Sequence, residues 1–204
     1  MNNFEIHRLF PTCVMMTSLD RDFTDEENKA LHDISDFRDG ITNFVSDNKF
    51  VLNDPRLEKI KSVCTQAANT YVQEIMRPVN SVEVYITQSW INVTPKGNSH
   101  HRHWHANSFI SGVLYINVVA GKDRIYFHNP KNKETINFHT IDFTHDNSPV
   151  WYLNVKFGDI ILFPSSLEHH VETNKEDHKR VSLAFNTFVK GTIGLESGSA
   201  YLKL

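Results

Sequence analysis

The sequence has only two cysteines in 204 residues, Cys13 and Cys64, far apart and in no metal-binding spacing. That excludes a disulfide framework and a thiolate metal site, so both read as reduced thiols of an intracellular protein. No apolar run is long enough to span a bilayer. Met1 to Phe10 lacks a basic stretch followed by an apolar one, so no signal peptide is visible and a cytoplasmic location is expected. Strong charge of one sign is also missing. A net charge of -3 gives no electrostatic reason to expect nucleic acid as the main partner. There is no internal repeat and no low-complexity linker, and the sequence does not specify an oligomeric state. What remains is an ordinary globular composition, 40% apolar and 22% charged, in a chain long enough for one domain with a substantial core.

Against these scarcities stands an excess of histidine. Seven of the twelve fall between His100 and His145.

The chain is expected to divide at about residue 80. Residues 1–80 supply a strand and two supporting helices, 81–190 a β core, and 191–204 a tail that is Gly/Ser-rich and then apolar. Phe4 to Met16 reads as extended. Thr24, with Glu27 three residues on, is a capping box that opens a helix expected to reach about Phe37. Gly40 to Asn53 reads as a polar loop. Pro55 opens the strongest helix, to about Met76, because Leu57, Ile60, Val63, Cys64, Ala67, Ala68, Tyr71 and Ile75 recur at helical spacing.

From Val82 the pattern changes to short strands near 82–93, 100–105, 109–118, 123–127, 136–144, 150–155, 159–163, 169–172 and 180–189. Turn signals such as Pro95-Lys96-Gly97 and Phe157-Gly158-Asp159 separate them. Many short strands at even spacing predict a barrel or a two-sheet jelly roll, mainly β, braced by the two helices. Lys131 to Pro149 reads as an insertion with the makings of a flap.

Three segments carry candidate chemistry. His103 and His105 are two residues apart, so on a strand both imidazoles leave the same face and can offer nitrogen to one metal. The pair does not identify the metal, since imidazole suits iron, zinc, copper and nickel alike. His101 shares their parity, His100 lies close by, and a histidine-rich strand can also be plain polar surface. A third ligand can come from His169 or His170. These neighbours face opposite ways on a strand, so only one of them can reach the metal. Arg180 and Ser182 share a face of the last long strand. Arg180 can grip a carboxylate through two parallel hydrogen bonds and Ser182 can add a third. A charge entering an apolar strand needs a buried partner, and a ligand carboxylate would serve. The alternative is an edge-strand salt bridge. A metal beside a carboxylate anchor points to a mononuclear iron enzyme with a keto-acid cosubstrate.

Taken in order, Leu9-Phe10-Pro11-Thr12, His103-Trp104-His105-Ala106-Asn107-Ser108-Phe109-Ile110-Ser111-Gly112-Val113-Leu114-Tyr115-Ile116, Gly158-Asp159-Ile160-Ile161-Leu162-Phe163-Pro164-Ser165, His169 and Arg180-Val181-Ser182-Leu183-Ala184-Phe185-Asn186 cover most of the chain. This set resembles the iron(II)/2-oxoglutarate-dependent oxygenases, in particular the small prolyl-hydroxylase-like members common in bacterial and marine-phage genomes. The resemblance implies a double-stranded β-helix, a cupin-like jelly roll, in the cytoplasm of a bacterium or a phage-infected host. It implies Fe(II), 2-oxoglutarate and O2, with oxidative decarboxylation to succinate and CO2 coupled to hydroxylation of an unidentified substrate, such as a peptidyl or amino-acid side chain.

By the same resemblance His103 is the first metal ligand. His169 is the distal one, because the family histidine follows Phe-Pro-Ser by four residues. Arg180, assisted by Ser182 and Tyr115, binds the distal carboxylate of 2-oxoglutarate, and Ser111 lines the same pocket. Asn92 and Asn186 are further pocket candidates. The sequence departs from the family at His105, where the usual residue is a carboxylate. His105 either ligates, giving a three-histidine site, or stands beside the metal with water in the ligand position. Trp104, Phe127, Trp151 and Tyr152 can form an aromatic wall for substrate or ordinary sandwich core.

Two rival readings differ in class. One is a cupin-like metal dioxygenase or isomerase without 2-oxoglutarate. The other is a non-enzymatic β-sandwich whose histidines hold a metal or nothing.

Overall fold

A computed structural model describes residues 4–131 and 139–204. Among the described residues, twelve strands and two α-helices follow in the order β1 (Met15–Ser18), α1 (Asp25–His32), β2 (Phe37–Asp39), β3 (Phe44–Ser46), α2 (Glu58–Tyr71), β4 (Val82–Thr94), β5 (His100–His103), β6 (Ile110–Asn117), β7 (Arg124–His128), β8 (Val150–Asn154), β9 (Asp159–Pro164), β10 (His169–Val171), β11 (Arg180–Ile193) and β12 (Leu202–Lys203). None of the described helices is long and apolar enough to cross a membrane.

The strands form two antiparallel sheets. The larger runs β1-β9-β6-β11-β4-β3-β2, with β12 also paired to β11. The smaller runs β5-β10-β7-β8. This is the two-sheet jelly roll expected from strand spacing. Strand alternation splits the large sheet into two apolar faces. Leu183 and Phe185 of β11, Ile160 and Leu162 of β9 and Leu114 of β6 face α2, in a core shared with Ile60, Cys64, Ala68 and Tyr71. Ala184, Ile161, Phe163, Val113 and Tyr115 face the small sheet and meet its Ile125 and Phe127. The site residues belong to this second, inter-sheet layer.

Local chemistry explains the helices. Glu27 N donates to Thr24 Oγ1 at 3.2 Å and Thr24 N to Glu27 Oε2 at 2.8 Å, a complete capping box. Helix α1 ends at His32, earlier than Phe37, because Phe37–Asp39 instead pairs with Phe44–Ser46 in a hairpin. That hairpin replaces the loop expected over 40–53. The second helix starts as a 3-10 turn at Pro55–Leu57 and ends in a π turn at Val72–Met76, where Arg77 turns left-handed before Pro78.

The strand expected near 136–144 does not form over 139–144, which lie in turns and irregular chain, and 136–138 are outside the described residues. So is part of the supposed flap. Its described remainder is tied by Arg8 Nε to Asp146 Oδ1 at 2.9 Å.

Gly112 shows how tightly the helix-facing core is filled. It pairs with Phe185, and a Cβ there would stand 2.1 Å from the Phe185 ring. Phe185 is fully buried, so the ring has nowhere to move. Gly112→Ala is expected to cost about 1–3 kcal/mol, the usual range for overpacking, read as a lowered urea midpoint at unchanged slope.

Candidate metal centre

His169 opens β10 and pairs directly with His103 at the end of β5. His105 lies two residues past β5, where its amide donates to Ser165 O at 2.9 Å and turns the chain back toward the large sheet. The three side chains bring their ligand atoms within 4.8 Å of one another, the only such histidine, cysteine or carboxylate group among the described residues. His100 stacks on His103 with centroids 4.4 Å apart, but neither His100 nor His101 joins the cluster.

Hydrogen bonds select the nitrogen each ring can offer. His103 Nδ1 bonds His101 O at 2.8 Å and His169 Nδ1 bonds Leu167 O at 2.9 Å. Both acceptors are carbonyls, so Nδ1 carries the proton and Nε2 keeps its lone pair. His105 Nδ1 lies 2.5 Å from Asn186 Oδ1 and 3.0 Å from Ser111 Oγ. The amide oxygen fixes the same tautomer there. Tying one ring nitrogen so that the other is aimed is how proteins orient metal-binding imidazoles. The donor set therefore fits a divalent metal held on one face by three neutral nitrogens. At position 105, where the resemblance implies a carboxylate, stands an imidazole that Asn186 and Ser111 hold in place.

Burial keeps these rings neutral. Desolvation pushes His103 down to about 4, with the neighbouring histidines adding repulsion. It pushes His100 down to about 3, and it lowers His105 and carries His169 well below the usual histidine range. A histidine with a depressed folded-state pKa takes up its proton more readily when the chain unfolds. Stability is therefore complete above about pH 6.5 and falls as pH drops toward 4. Metal-free protein is expected to show a urea midpoint that declines across this window. A flat midpoint between pH 7 and 4.5 would refute the buried neutral cluster.

Ser111, expected beside Tyr115, instead lies fully buried under His105. Its Oγ donates to Asn186 Oδ1 at 2.9 Å and exchanges a hydrogen bond with Ser165 at 2.8 Å, and Ser165 Oγ continues to Ser108 at 2.7 Å. Asn186 is likewise occupied with His105. Ser165 and Ser108 escaped sequence reading, although both sit inside the Phe-Pro-Ser and Asn-Ser-Phe motifs.

Arg180, Ser182, Ala184 and Asn186 alternate along the inner face of β11. In register, Ser182 lies between Asn92 of β4 and Tyr115 of β6. Asn92 Oδ1 accepts from Asn43 Nδ2 at 3.3 Å, which ties the β2–β3 hairpin to the slot. Tyr115 is buried and its phenol is raised above the usual tyrosine range, first by desolvation, with Arg180 opposing and Asp159 and Asp123 adding to the rise. Arg180 does have a buried counter-ion, but it belongs to the protein. Its Nε donates to Asp123 Oδ1 at 2.5 Å and Nη1 to Glu172 O at 3.3 Å. The buried partner that the sequence calls for is thus Asp123, in a salt bridge that is buried and on an interior strand, not at an edge.

The cleft at the metal end holds about 270 Å3 and is lined by Val45, Trp90, Asn92, Trp104 and Asn186 beside the histidines. Trp90, not singled out in the sequence, lies 5.6 Å from the His105 ring. The four aromatics proposed as one wall are together only in part, Phe127 and Trp151 being register partners across β7 and β8. Phe127 packs on Phe163 beside His169, Trp104 is exposed at the cleft, Trp151 meets His145, and Tyr152 lies under the Arg124 guanidinium.

Residues 88–186, which run from β4 to β11 and contain every residue of the cluster, match the family model described as "Putative 2OG-Fe(II) oxygenase". Over that segment the chain matches the 2OG-Fe(II) oxygenase family. Solved structures of 2OG-Fe(II) oxygenases share its fold, the double-stranded β-helix. An oxidoreductase of the 2OG-Fe(II) oxygenase family from Burkholderia pseudomallei is 15% identical, with 85% of this chain and 83% of that one covered and a TM-score of 0.57. HygX from Streptomyces hygroscopicus, solved with nickel and 2-oxoglutarate, is 9% identical, with 86% and 82% covered and a TM-score of 0.58. A Pseudomonas putida prolyl-4-hydroxylase is 12% identical, with 86% and 92% covered and a TM-score of 0.53. No curated protein matches the sequence. The small sheet β5-β10-β7-β8 carries His103 and His169 on adjacent strands.

Proposed function

We propose that this oxygenase uses Fe(II), 2-oxoglutarate and O2 to hydroxylate a substrate of the peptidyl or amino-acid side-chain class, releasing succinate and CO2. The observation that carries the reading is the convergence of three Nε2 lone pairs in an inter-sheet slot whose other end holds a buried arginine. The HygX complex with nickel and 2-oxoglutarate supports the cosubstrate, and the prolyl-4-hydroxylase supports hydroxylation. The same fold also serves a carbocyclase and an epimerase of nogalamycin biosynthesis, so hydroxylation rests on this proposal and not on the fold.

In this reading His103, His105 and His169 hold the metal, and Asn186 and Ser111 keep the His105 ring turned toward it. Arg180 receives the distal carboxylate of the cosubstrate, with Ser182 and Tyr115 on the slot floor beside it. The Arg180 head reaches the Glu172 carbonyl, three residues past His169. The arginine and the distal histidine thus lie toward the two ends of one short stretch, residues 169–172. When bound, iron would let O2 act as the oxidant, with 2-oxoglutarate giving up two electrons as it becomes succinate and CO2, while the protein supplies binding, orientation and a water-poor pocket. Phe127, Phe163 and Val113 form its dry wall.

Anaerobic titration of Fe(II)-loaded protein with 2-oxoglutarate should raise the weak visible charge-transfer band of a chelated keto acid. Aerobic incubation should then yield succinate. Neither band nor succinate from protein with stoichiometric iron would sink the proposal.

A further inference from the structure

At the slot's far end lies a buried charge assembly that the proposed chemistry leaves unexplained. Asp123 is 1% exposed and sits in the turn before β7. Both of its oxygens are engaged. Oδ1 accepts from Arg180 Nε, while Oδ2 accepts from the Val119 amide at 2.8 Å and bonds His178 Nε2 at 3.0 Å. Its own backbone is pinned as well, since its amide donates to Val119 O at 3.0 Å and its carbonyl accepts from Val155 N at 3.2 Å. The carboxylate is therefore a rigid fixture of the turn.

A lone buried ion pair is a weak way to stabilise a fold. What this one achieves is geometric. A guanidinium can clamp a carboxylate through its Nε edge or through its two terminal nitrogens. Here Asp123 takes the Nε edge and Glu172 O takes one N–H of Nη1 at 3.3 Å. Among the described residues nothing accepts from Nη2. The end of the guanidinium is left as the available fork, in a plane set by Asp123.

We propose that Asp123 is a positioning residue. It holds Arg180 by Nε so that only the terminal fork is offered to the distal carboxylate of the cosubstrate, and this makes the site selective for a 2-oxo diacid over a 2-oxo monoacid. The inference rests on the cosubstrate reading above. It adds the residue that turns a buried arginine into a selectivity device, joining β11 to the β6–β7 turn across 57 residues of sequence.

The test compares two five-carbon acids, 2-oxoglutarate and 2-oxopentanoate, which differ in the distal carboxylate. Binding of each to the Fe(II)-loaded full chain is measured anaerobically, and KM and kcat for succinate formation are measured in air. Wild type should bind 2-oxoglutarate more tightly. In Asp123→Asn the new amide donor faces the Val119 N–H, so the anchor shifts. The affinity ratio should fall about tenfold or more through loss of 2-oxoglutarate binding alone, the scale of one charged hydrogen bond. KM should rise with kcat nearly unchanged, and iron stoichiometry should hold. A merely structural role would weaken both acids or the metal. If Asp123→Asn does not fold, His178→Ala loosens Asp123 Oδ2 while leaving Arg180 and Asp123 in place, and it should shift the ratio in the same direction. An unchanged or increased ratio in the folded variant overturns the proposal. Failure of wild type to prefer 2-oxoglutarate overturns the cosubstrate reading, and the role of Asp123 falls with it.

Discussion

Arg180→Ala is expected to lower the unfolding free energy by about 3–5 kcal/mol, because it strips the counter-ion from a buried carboxylate. Asp123 is 1% exposed and Arg180 7%, so the stranded carboxylate would be far from bulk solvent. His178 and the Val119 amide would still bond Oδ2, while Oδ1 would have no donor among the described residues. For a chain of this size the loss corresponds to a melting temperature about 10 °C lower. The double variant Arg180→Ala with Asp123→Ala should recover part of it, since no charge is then stranded. Urea unfolding of metal-free protein without cosubstrate checks this, and a single variant as stable as wild type would sink the ion-pair assignment. The consequence for function is practical. Lost 2-oxoglutarate binding in Arg180→Ala mixes two effects, whereas Arg180→Lys keeps a cation on Asp123 and removes only the fork.

The same pair shows what a sequence can and cannot disclose. Strands β6, β9 and β11 are legible because each alternates between two apolar layers over six or more residues. The hairpin of β2 and β3 is not, since three-residue strands are too short to show a period. His103 and His105 are legible as a pair from their spacing, and His169 through the resemblance, in which the distal histidine follows Phe-Pro-Ser by four residues; His105 reaches the cluster from the turn past β5 and not by strand parity. The need of Arg180 for a buried partner is legible too, from its place among apolar neighbours. The identity of that partner is not, because Asp123 lies on another strand connection, and no local pattern separates a buried aspartate from a turn aspartate. Ser111 and Asn186 illustrate the converse. Both are pocket candidates in the sequence, yet which neighbour they serve depends on the path of residues 104–106 beyond β5, which brings His105 over them.

That path also sets the second large effect. His169→Ala is expected to abolish stoichiometric binding of Fe(II), whereas His170→Ala should leave it unchanged. The two are adjacent in β10 and face opposite sides of the small sheet. His169 points into the slot, 4.3 Å from His103 and 5.1 Å from His105 between ring centroids. His170 points outward, where its Nδ1 lies 3.0 Å from His128 Nε2 and its ring stacks on Tyr126. Loss of one of three nitrogen donors should exceed the roughly 10–100-fold typical of residues that merely orient a ligand. Asn186→Ala supplies that smaller value, because it frees the His105 ring without removing a donor. Iron content after equilibration against a competing chelator distinguishes the three variants. Equal loss in His169→Ala and His170→Ala would mean that the strand, and not the inward ring, sustains metal binding. Full binding in His169→Ala would remove it from the centre, leaving His103 and His105 to a site of another kind.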